Sequence, residues 1–282
     1  MNMQPFFYRI SRFFGMMKWI RWGLRYKIFT YLKPINLEFS APFYGCVYKG
    51  NLNNFIGRVV YFFGAHERQV MEYMGSKIDG ESIVLDIGAN VGHHSLFFSA
   101  KAKEVHSFEP NPEFHHQFDA LMKENNITNV HLHKFGLGAS TQTAEYYAPT
   151  GDNRGVGSFI ENHESSNEKV GEMQIIHGDE AVSALQLSRI DFIKIDVEGY
   201  EESVLRGLQK TIQKFKPIII LEYEASDFSS EKSFYDLIAG YTPFLLKANT
   251  AVLFLFNNPA CNATPFDFTK AYGEVLLIPN RI

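Results

Sequence analysis

The residues best suited to chemistry are acids that end short apolar runs: Asp86, Glu109, Asp196 with Glu198, and Glu222. Asp86 sits in Ile83-Val-Leu-Asp-Ile-Gly-Ala-Asn-Val-Gly92, where a run of buried-strand type leads into a turn and then a helix-like stretch. Gly88 and Gly92 let that turn come close to a ligand. Glu109 closes a second apolar run, Val105-His-Ser-Phe-Glu-Pro110. From that place in a doubly wound sheet a carboxylate accepts both hydroxyls of a ribose, through charge-assisted hydrogen bonds. The two segments together predict a nucleoside-binding half-site.

The same order of strand, glycine turn, helix and ribose acid serves dinucleotides, so spacing alone does not choose the ligand. Asp86 does discriminate. A pyrophosphate favours a positive helix N-terminus, whereas Asp86 puts negative charge there, which suits the ammonium of an amino acid. The expected ligand is therefore S-adenosylmethionine, with a nicotinamide dinucleotide disfavoured. Taken singly, Asp86 as a turn cap and Glu109 as a solvated strand end are the alternatives.

A third segment, Ile190-Asp-Phe-Ile-Lys-Ile-Asp-Val-Glu-Gly-Tyr-Glu201, is an apolar strand with an acid-rich end. Lys194, Asp196 and Glu198 alternate with Ile195 and Val197, which places the polar side chains on one side of an extended chain. The apolar run from Pro217 to Leu221 then ends in Glu222. Ligands of a parallel sheet sit beyond the carboxyl ends of its strands, so Asp86, Glu109, Asp196 and Glu222 are expected to face one crevice. Lys194 is expected to be buried and paired with Asp196 or Glu222, because an isolated buried charge is costly. If the ligand donates a methyl group to a hydroxyl, a carboxylate must take the proton; Asp196 is the first candidate, then Glu198 and Glu222, with Lys194 holding the acids. Asp196 and, more so, Glu198 have a structural alternative, capping the helix that begins near Tyr200 or bonding the Gly199 turn. No metal ion is required, although acids at one rim are also suited to a divalent cation; turnover is expected to be insensitive to chelators.

With these motifs in order, the chain resembles the FkbM family of methyltransferases. The likeness rests on Asp86-Ile-Gly-Ala-Asn-Val-Gly92, Phe108-Glu-Pro110, Phe135-Gly-Leu-Gly138, Ile193-Lys-Ile-Asp-Val-Glu-Gly199 with Glu201, and Lys216-Pro217 leading to Glu222, preceded by Gly64-Ala-His-Glu67. The resemblance implies a class I, Rossmann-like methyltransferase fold with S-adenosylmethionine as donor, and a hydroxylated acceptor, usually a sugar, glycan or related natural product; a lipid-linked saccharide is favoured if the N-terminus meets a membrane. It implies a cofactor-binding set of Glu67, Asp86, Gly88, Ala89, Asn90, Gly92, Glu109, Asn111, Gly136 and Leu137. A non-catalytic scaffold that keeps the fold is the other class of function; loss of the acids around Asp196 would favour it, and they are present.

The elements that must position these residues follow from periodicity. Strands are expected at 83–87, 105–108, 130–135, 192–195 and 218–221, alternating with helices at 92–100, 113–125 and 200–215, and a further helix at 66–74. Alternation implies an α/β, doubly wound and mostly parallel sheet, closed by antiparallel strands at 244–247, 252–256 and 275–278 with a C-terminal hairpin. Residues 38–64 read as a small accessory β-hairpin, and 65–282 as the methyltransferase domain. The 151–171 stretch reads as a polar loop, from which Asn153, Arg154 and Ser158 could contact the acceptor, Arg154 gripping an acidic sugar; a plain surface loop is the equal alternative. The ten histidines show no ligand spacing; His93 and His94 open the helix after the glycine turn and could reach the crevice, with a solvated or core-edge place the favoured reading.

Composition adds two constraints. The 282 residues, 45% of them hydrophobic, suffice for one large core. The net charge of −4 conceals a basic N-terminus: residues 1–37 hold Arg9, Arg12, Lys18, Arg21, Arg25, Lys27 and Lys33 among many aromatics, and no acid before Asn36. This mixture suits peripheral contact with an anionic membrane, and equally packing on the enzyme or a dimer contact, since the basic residues do not gather on one helical face. Nucleic acid is not expected, because the rest of the chain is acidic. Cys46 and Cys261 match no metal or redox spacing, which favours a reducing compartment. The expected location is the cytoplasm, free or on the inner face of the membrane.

Overall fold

In the computed structural model, residues 29–30, 33–149, 157–160, 167–248 and 261–280 are described. Strands β1 (Glu38–Phe43) and β2 (Cys46–Asn51) form an antiparallel hairpin. It is followed by helix α1 (Phe55–Phe63), capped by the Asn54 side chain accepting from Gly57 N, and α2 (Arg68–Gly75). The accessory element is thus a hairpin plus a helix, since Asn54 supplies the missing N-terminal partner for an apolar segment of helical period.

The main sheet contains β3 (Ile83–Ile87), β4 (Glu104–Phe108), β5 (Val130–His133), β9 (Phe192–Ile195) and β10 (Ile218–Glu224). Between them run α3 (His93–Ser99), α4 (Pro112–Glu124), α5 (Gly178–Ala184), α6 (Glu201–Gly207), α7 (Gln209–Phe215) and, after β10, α8 (Glu231–Leu237). Three strands close the edge: β11 (Tyr241–Ala248), β12 (Cys261–Pro265) and β13 (Tyr272–Pro279). The spatial order is β12-β11-β13-β10-β9-β3-β4-β5. Pairings from β5 to β10 are parallel, and those to β13 and β12 are antiparallel. This is the Rossmann-like fold of class I methyltransferases, with its topological switch between β3 and β9.

Register sorts the chemistry by face. Paired residues project to the same side, so the β3–β9 pair Asp86 and Lys194 and the β10–β13 pair Glu222 and Glu274 belong to one face, with Asp196 continuing it two residues beyond Lys194. Val84, Phe192, Ile220 and Leu276 lie on that face and pack with Leu96, Phe97 and Phe98 of α3 and with Phe43 and Tyr48 of the hairpin. Leu85, Ile87, Ile193, Ile195, Leu221 and Val275 bury the opposite face with the helices following β9 and β10. Apolar residues fill the sheet's body, and the polar ones of the first face emerge at the strand ends.

Two expectations are corrected. Strands β6 (Gly136–Gly138), β7 (Gln142–Pro149) and β8 (Asn167–His177) form a second sheet, in the order β6-β8-β7, so 167–171 of the expected polar loop is strand, while Asn153 and Arg154 lie outside the described residues. The helix expected at 200–215 breaks at Leu208. An unexpected closing strand at 261–265 pairs with β11, and the strand expected at 252–256 lies outside the described residues. So does nearly all of the basic N-terminus; Phe29, which is described, is buried against Phe55, Phe62 and Phe63. Among the described residues, no helix is long and apolar enough to cross a membrane.

Candidate active site

The carboxyl ends of β3, β4, β9 and β10 open into one crevice of about 410 Å³, within the usual range for small-molecule sites. Gly88, Ala89, Asn90, Glu109, Gly136, Leu137, Lys194, Asp196, Glu198 and Glu222 all line it. The turn is tight because Gly88 and Ala89 both donate their N–H to Phe108 O, at 3.0 and 3.1 Å. Gly88 also has φ +80°, and a Cβ there would meet the carbonyl oxygen of Asp196 at 1.7 Å. Two strand ends on either side of the switch point are thereby held in contact.

Glu109 is buried, and its carboxylate accepts from Asn90 N at 2.8 Å and Asn111 N at 2.7 Å. It therefore ties the glycine turn to the start of α4 while facing the crevice. Burial pushes its pKa up to about 7, against the two backbone N–H groups, which pull it down. Each oxygen keeps a second lone pair, the requirement for also accepting a ribose hydroxyl.

The other three acids make a carboxylate cluster. Ligand-type oxygens of Asp196, Glu198 and Glu222 lie within 4.8 Å of one another. Lys194, 4% exposed, has its Nζ 2.9 Å from Asp196 and 3.7 Å from Asp86 and donates to Gly88 O at 3.2 Å. Burial pushes the Asp196 pKa up, but the Lys194 charge and hydrogen bonds from Lys194 and Glu222 outweigh it and hold the group below its ordinary value. Glu222 goes the other way, up to about 10, through burial and then repulsion from Asp196, Glu198 and Glu274. Asp196 and Glu222 thus make a carboxylate pair whose basicities are pushed apart, Asp196 toward the ionised form and Glu222 toward the protonated one.

Four expected ligand residues do not line the crevice. Asp86 is fully buried beneath the turn, where it accepts from Ser95 Oγ at 2.5 Å; α3 covers it, so it serves as counter-ion to Lys194 and not as a wall for an ammonium. Gly92 is needed for packing, since a Cβ there would come within 2.7 Å of the Phe118 ring. Asn111 caps α4 through Glu113 N. Glu67 stands behind His66 in a left-handed conformation, φ +48°, with its carboxylate 3.8 Å from His94 Nε2 and 3.9 Å from His66 Nδ1.

His93 and His94 are buried at the crevice wall, contrary to the solvated or core-edge reading. They open α3 directly above Asp86, so the helix that shields that acid carries them inward. Burial first, then nearby positive charge, drives the His94 pKa well down and leaves a neutral ring whose Nε2 has no hydrogen-bond partner. Phe114, Tyr146, Phe159 and Tyr272 also line the site and were not singled out from the sequence, and neither was any role for Glu201, which lines it too. Glu201, in the acid-rich motif, was the most accessible signal: it is 1% exposed, accepts from Val197 N at 3.0 Å, and has its pKa raised by burial to about 8.

A glycine turn braced by a buried acid, next to anionic oxygens and a neutral imidazole, fits a nucleoside that carries positive charge. Comparison with known proteins agrees. The Methyltransferase FkbM domain matches residues 86–248. Hexuronic acid methyltransferase AglP of Haloferax volcanii is 28% identical over 158 residues, covering 55% of this chain and 61% of its own length. Among solved structures, methyltransferase FkbM of Methylobacillus flagellatus aligns with TM-score 0.44 and 14% identity, over 78% of this chain and 52% of that one. SMU.1697c of Streptococcus mutans, solved with S-adenosylhomocysteine, gives 0.43 and 13% over 76% and 96%. The chain thus spans 61% of the length of the first of these proteins and 52% of the second. The family match covers more than half of the chain and all the strand ends that build the crevice, and S-adenosylmethionine is the cofactor that goes with it: the protein belongs to the FkbM family of methyltransferases.

Proposed function

We propose that the protein transfers the methyl group of S-adenosylmethionine to a hydroxyl of a saccharide. The observation that carries this reading is the cluster of Asp196, Glu198 and Glu222, whose oxygens lie within 4.8 Å of one another in the crevice that Glu109 and the glycine turn also line, with Lys194 at 2.9 Å from Asp196. A sugar acceptor draws support from the name of the AglP relative. The cofactor supplies a sulfonium methyl that is already activated. The protein's tasks are then to align an acceptor oxygen, exclude water and receive one proton. Glu109 and the backbone of Ala89 and Asn90 would hold the nucleoside, with Gly136 and Leu137 on its far side, and His94 with Glu67 would face the amino-acid end. Asp196 takes the hydroxyl proton as the bond to carbon forms; its negative charge disappears as the neighbouring positive charge does, which suits a site of low dielectric. Glu222 holds Asp196 in place by donating to it.

Calorimetry tests the cofactor. Micromolar binding of S-adenosylhomocysteine and none of NADH is expected, with loss of binding in Glu109→Ala. The titration of Glu109 adds a pH signature. Below its pKa of about 7 the group is protonated and accepts fewer hydrogens, so affinity should weaken roughly tenfold between pH 8 and pH 6. Stability of the unliganded protein should move oppositely. Between the ordinary value of 4.5 and about 7 the folded protein holds a proton that the unfolded chain has lost, so this contribution declines as pH rises through that window. Affinity that is flat from pH 6 to 8 would remove Glu109 from the ligand's environment.

A further inference from the structure

Among the described residues, five large apolar side chains stand exposed: Val47, Ile160, Val170, Tyr235 and Tyr272. Tyr272 is the most open of them at 74%, and it alone lines the crevice. Scattered exposed hydrophobics need no explanation, but a bare ring at the mouth of a catalytic crevice does. Its position follows from the β10–β13 ladder. Glu222 pairs with Glu274, and the next pair on that side is Glu224 with Tyr272, about 7 Å further toward the crevice mouth at two residues of strand rise. Asp227, just past the end of β10, lines the same end. Glu109, Phe114, Tyr146 and Phe159 define the nucleoside end.

Charge makes this end selective. Glu198, Glu222, Glu224 and Asp227 line it, whereas the one lysine or arginine among the described lining residues is Lys194, already paired with Asp196 and Asp86. Carboxylates accept hydrogens from hydroxyl groups but repel another carboxylate.

We propose that Tyr272, Glu224 and Asp227 form the acceptor subsite, and that it takes an uncharged sugar ring: the C–H face of the pyranose lies on the Tyr272 ring, its hydroxyls bond to the two carboxylates, and the hydroxyl to be methylated reaches Asp196. This rests on the saccharide reading above and narrows it, because a hexuronic acid is disfavoured at this position. The aromatic ring supplies apolar area with little side-chain entropy to lose, and the acids set orientation.

The test measures labelled methyl transfer to matched neutral hexosides and hexuronides by wild type, Tyr272→Ala and Tyr272→Phe, with S-adenosylhomocysteine affinity determined alongside. Neutral hexosides should be preferred. Tyr272→Ala should raise acceptor KM roughly tenfold, the upper range for one aromatic contact, with kcat changed far less and S-adenosylhomocysteine affinity unchanged. Tyr272→Phe, which keeps the ring, should recover most of the loss. An unchanged KM in Tyr272→Ala, or preference for the hexuronides, overturns the subsite and leaves saccharide methylation standing. Cofactor binding with no transfer to any saccharide overturns both. Because Tyr272 is so exposed, its replacement should leave melting unaltered, and a large fall in Tm would show a structural role instead.

Discussion

Asp196→Asn should lower kcat by roughly 10²–10⁴-fold, the range for losing a general base, while S-adenosylhomocysteine affinity stays within about threefold. The amide keeps the shape and a hydrogen-bond acceptor but cannot receive the hydroxyl proton. Its neighbour makes the control. Glu222 holds its proton up to about pH 10, so it already behaves as a neutral donor at pH 7, and Glu222→Gln replaces one neutral donor by another. That variant should stay within a few fold of wild type. If the assignments were reversed, Glu222→Gln would be the inactive one. Full turnover in Asp196→Asn would exclude Asp196 as the base, and loss of S-adenosylhomocysteine binding in the same variant would make it a cofactor residue. The low basicity of Asp196 does not argue against the role: proton transfer concerted with methyl transfer needs a base only as charge leaves the acceptor oxygen, and the site anchors that base through Lys194 at 2.9 Å.

How much of this was legible beforehand depended on whether a residue acts through its position on a strand or through what folds over it. The ends of β3, β4, β9 and β10 could be read because central parallel strands are short, continuous and apolar, so the first polar residue after each run marks the crevice. Asp196, Glu198, Glu222, Glu109 and Lys194 were found in this way. Asp86 follows the same pattern but was misplaced: it lies one residue before the end of β3, so it projects under α3, and only the three-dimensional path of that helix shows that Ser95 donates to one of its oxygens while the other faces Lys194 at 3.7 Å. His93 and His94 failed for the converse reason. Their types suggested solvent, and the hairpin rings of Phe43 and Tyr48 that cover His93 come from a distant part of the chain, at 4.9 and 5.7 Å. Tyr272 had no local signal at all. It enters the site through antiparallel pairing of β13 with β10, a register that no period in the sequence around it specifies.

Lys194→Met should be the most destabilising conservative change in the crevice, costing about 3–5 kcal/mol, as expected when one partner of a buried ion pair is removed. For a domain of this size that corresponds to a Tm lower by roughly 6–20 °C. Lys194 is almost wholly buried between Asp86, with no exposure, and Asp196. Burial alone would lower its pKa, yet the two carboxylates hold it above the ordinary lysine value, so it is charged throughout the working range. Methionine fills a similar volume but removes the ammonium that faces Asp86 Oδ1 at 3.7 Å, an oxygen that already lacks a hydrogen-bond partner. Burial already pushes the Asp86 pKa up and Lys194 opposes this; without the ammonium it should rise further. The variant's folded state then holds a proton on Asp86 that the unfolded chain releases, so its deficit should grow as pH rises through the acid range and shrink toward pH 4. Adding Asp86→Asn to Lys194→Met should recover part of the lost stability, since the unpaired charge is gone, while Asp86→Asn alone should destabilise. A single variant that melts within about 2 °C of wild type at pH 7, with no dependence of the difference on pH, would show that the pair is screened by water and not buried as the structure has it.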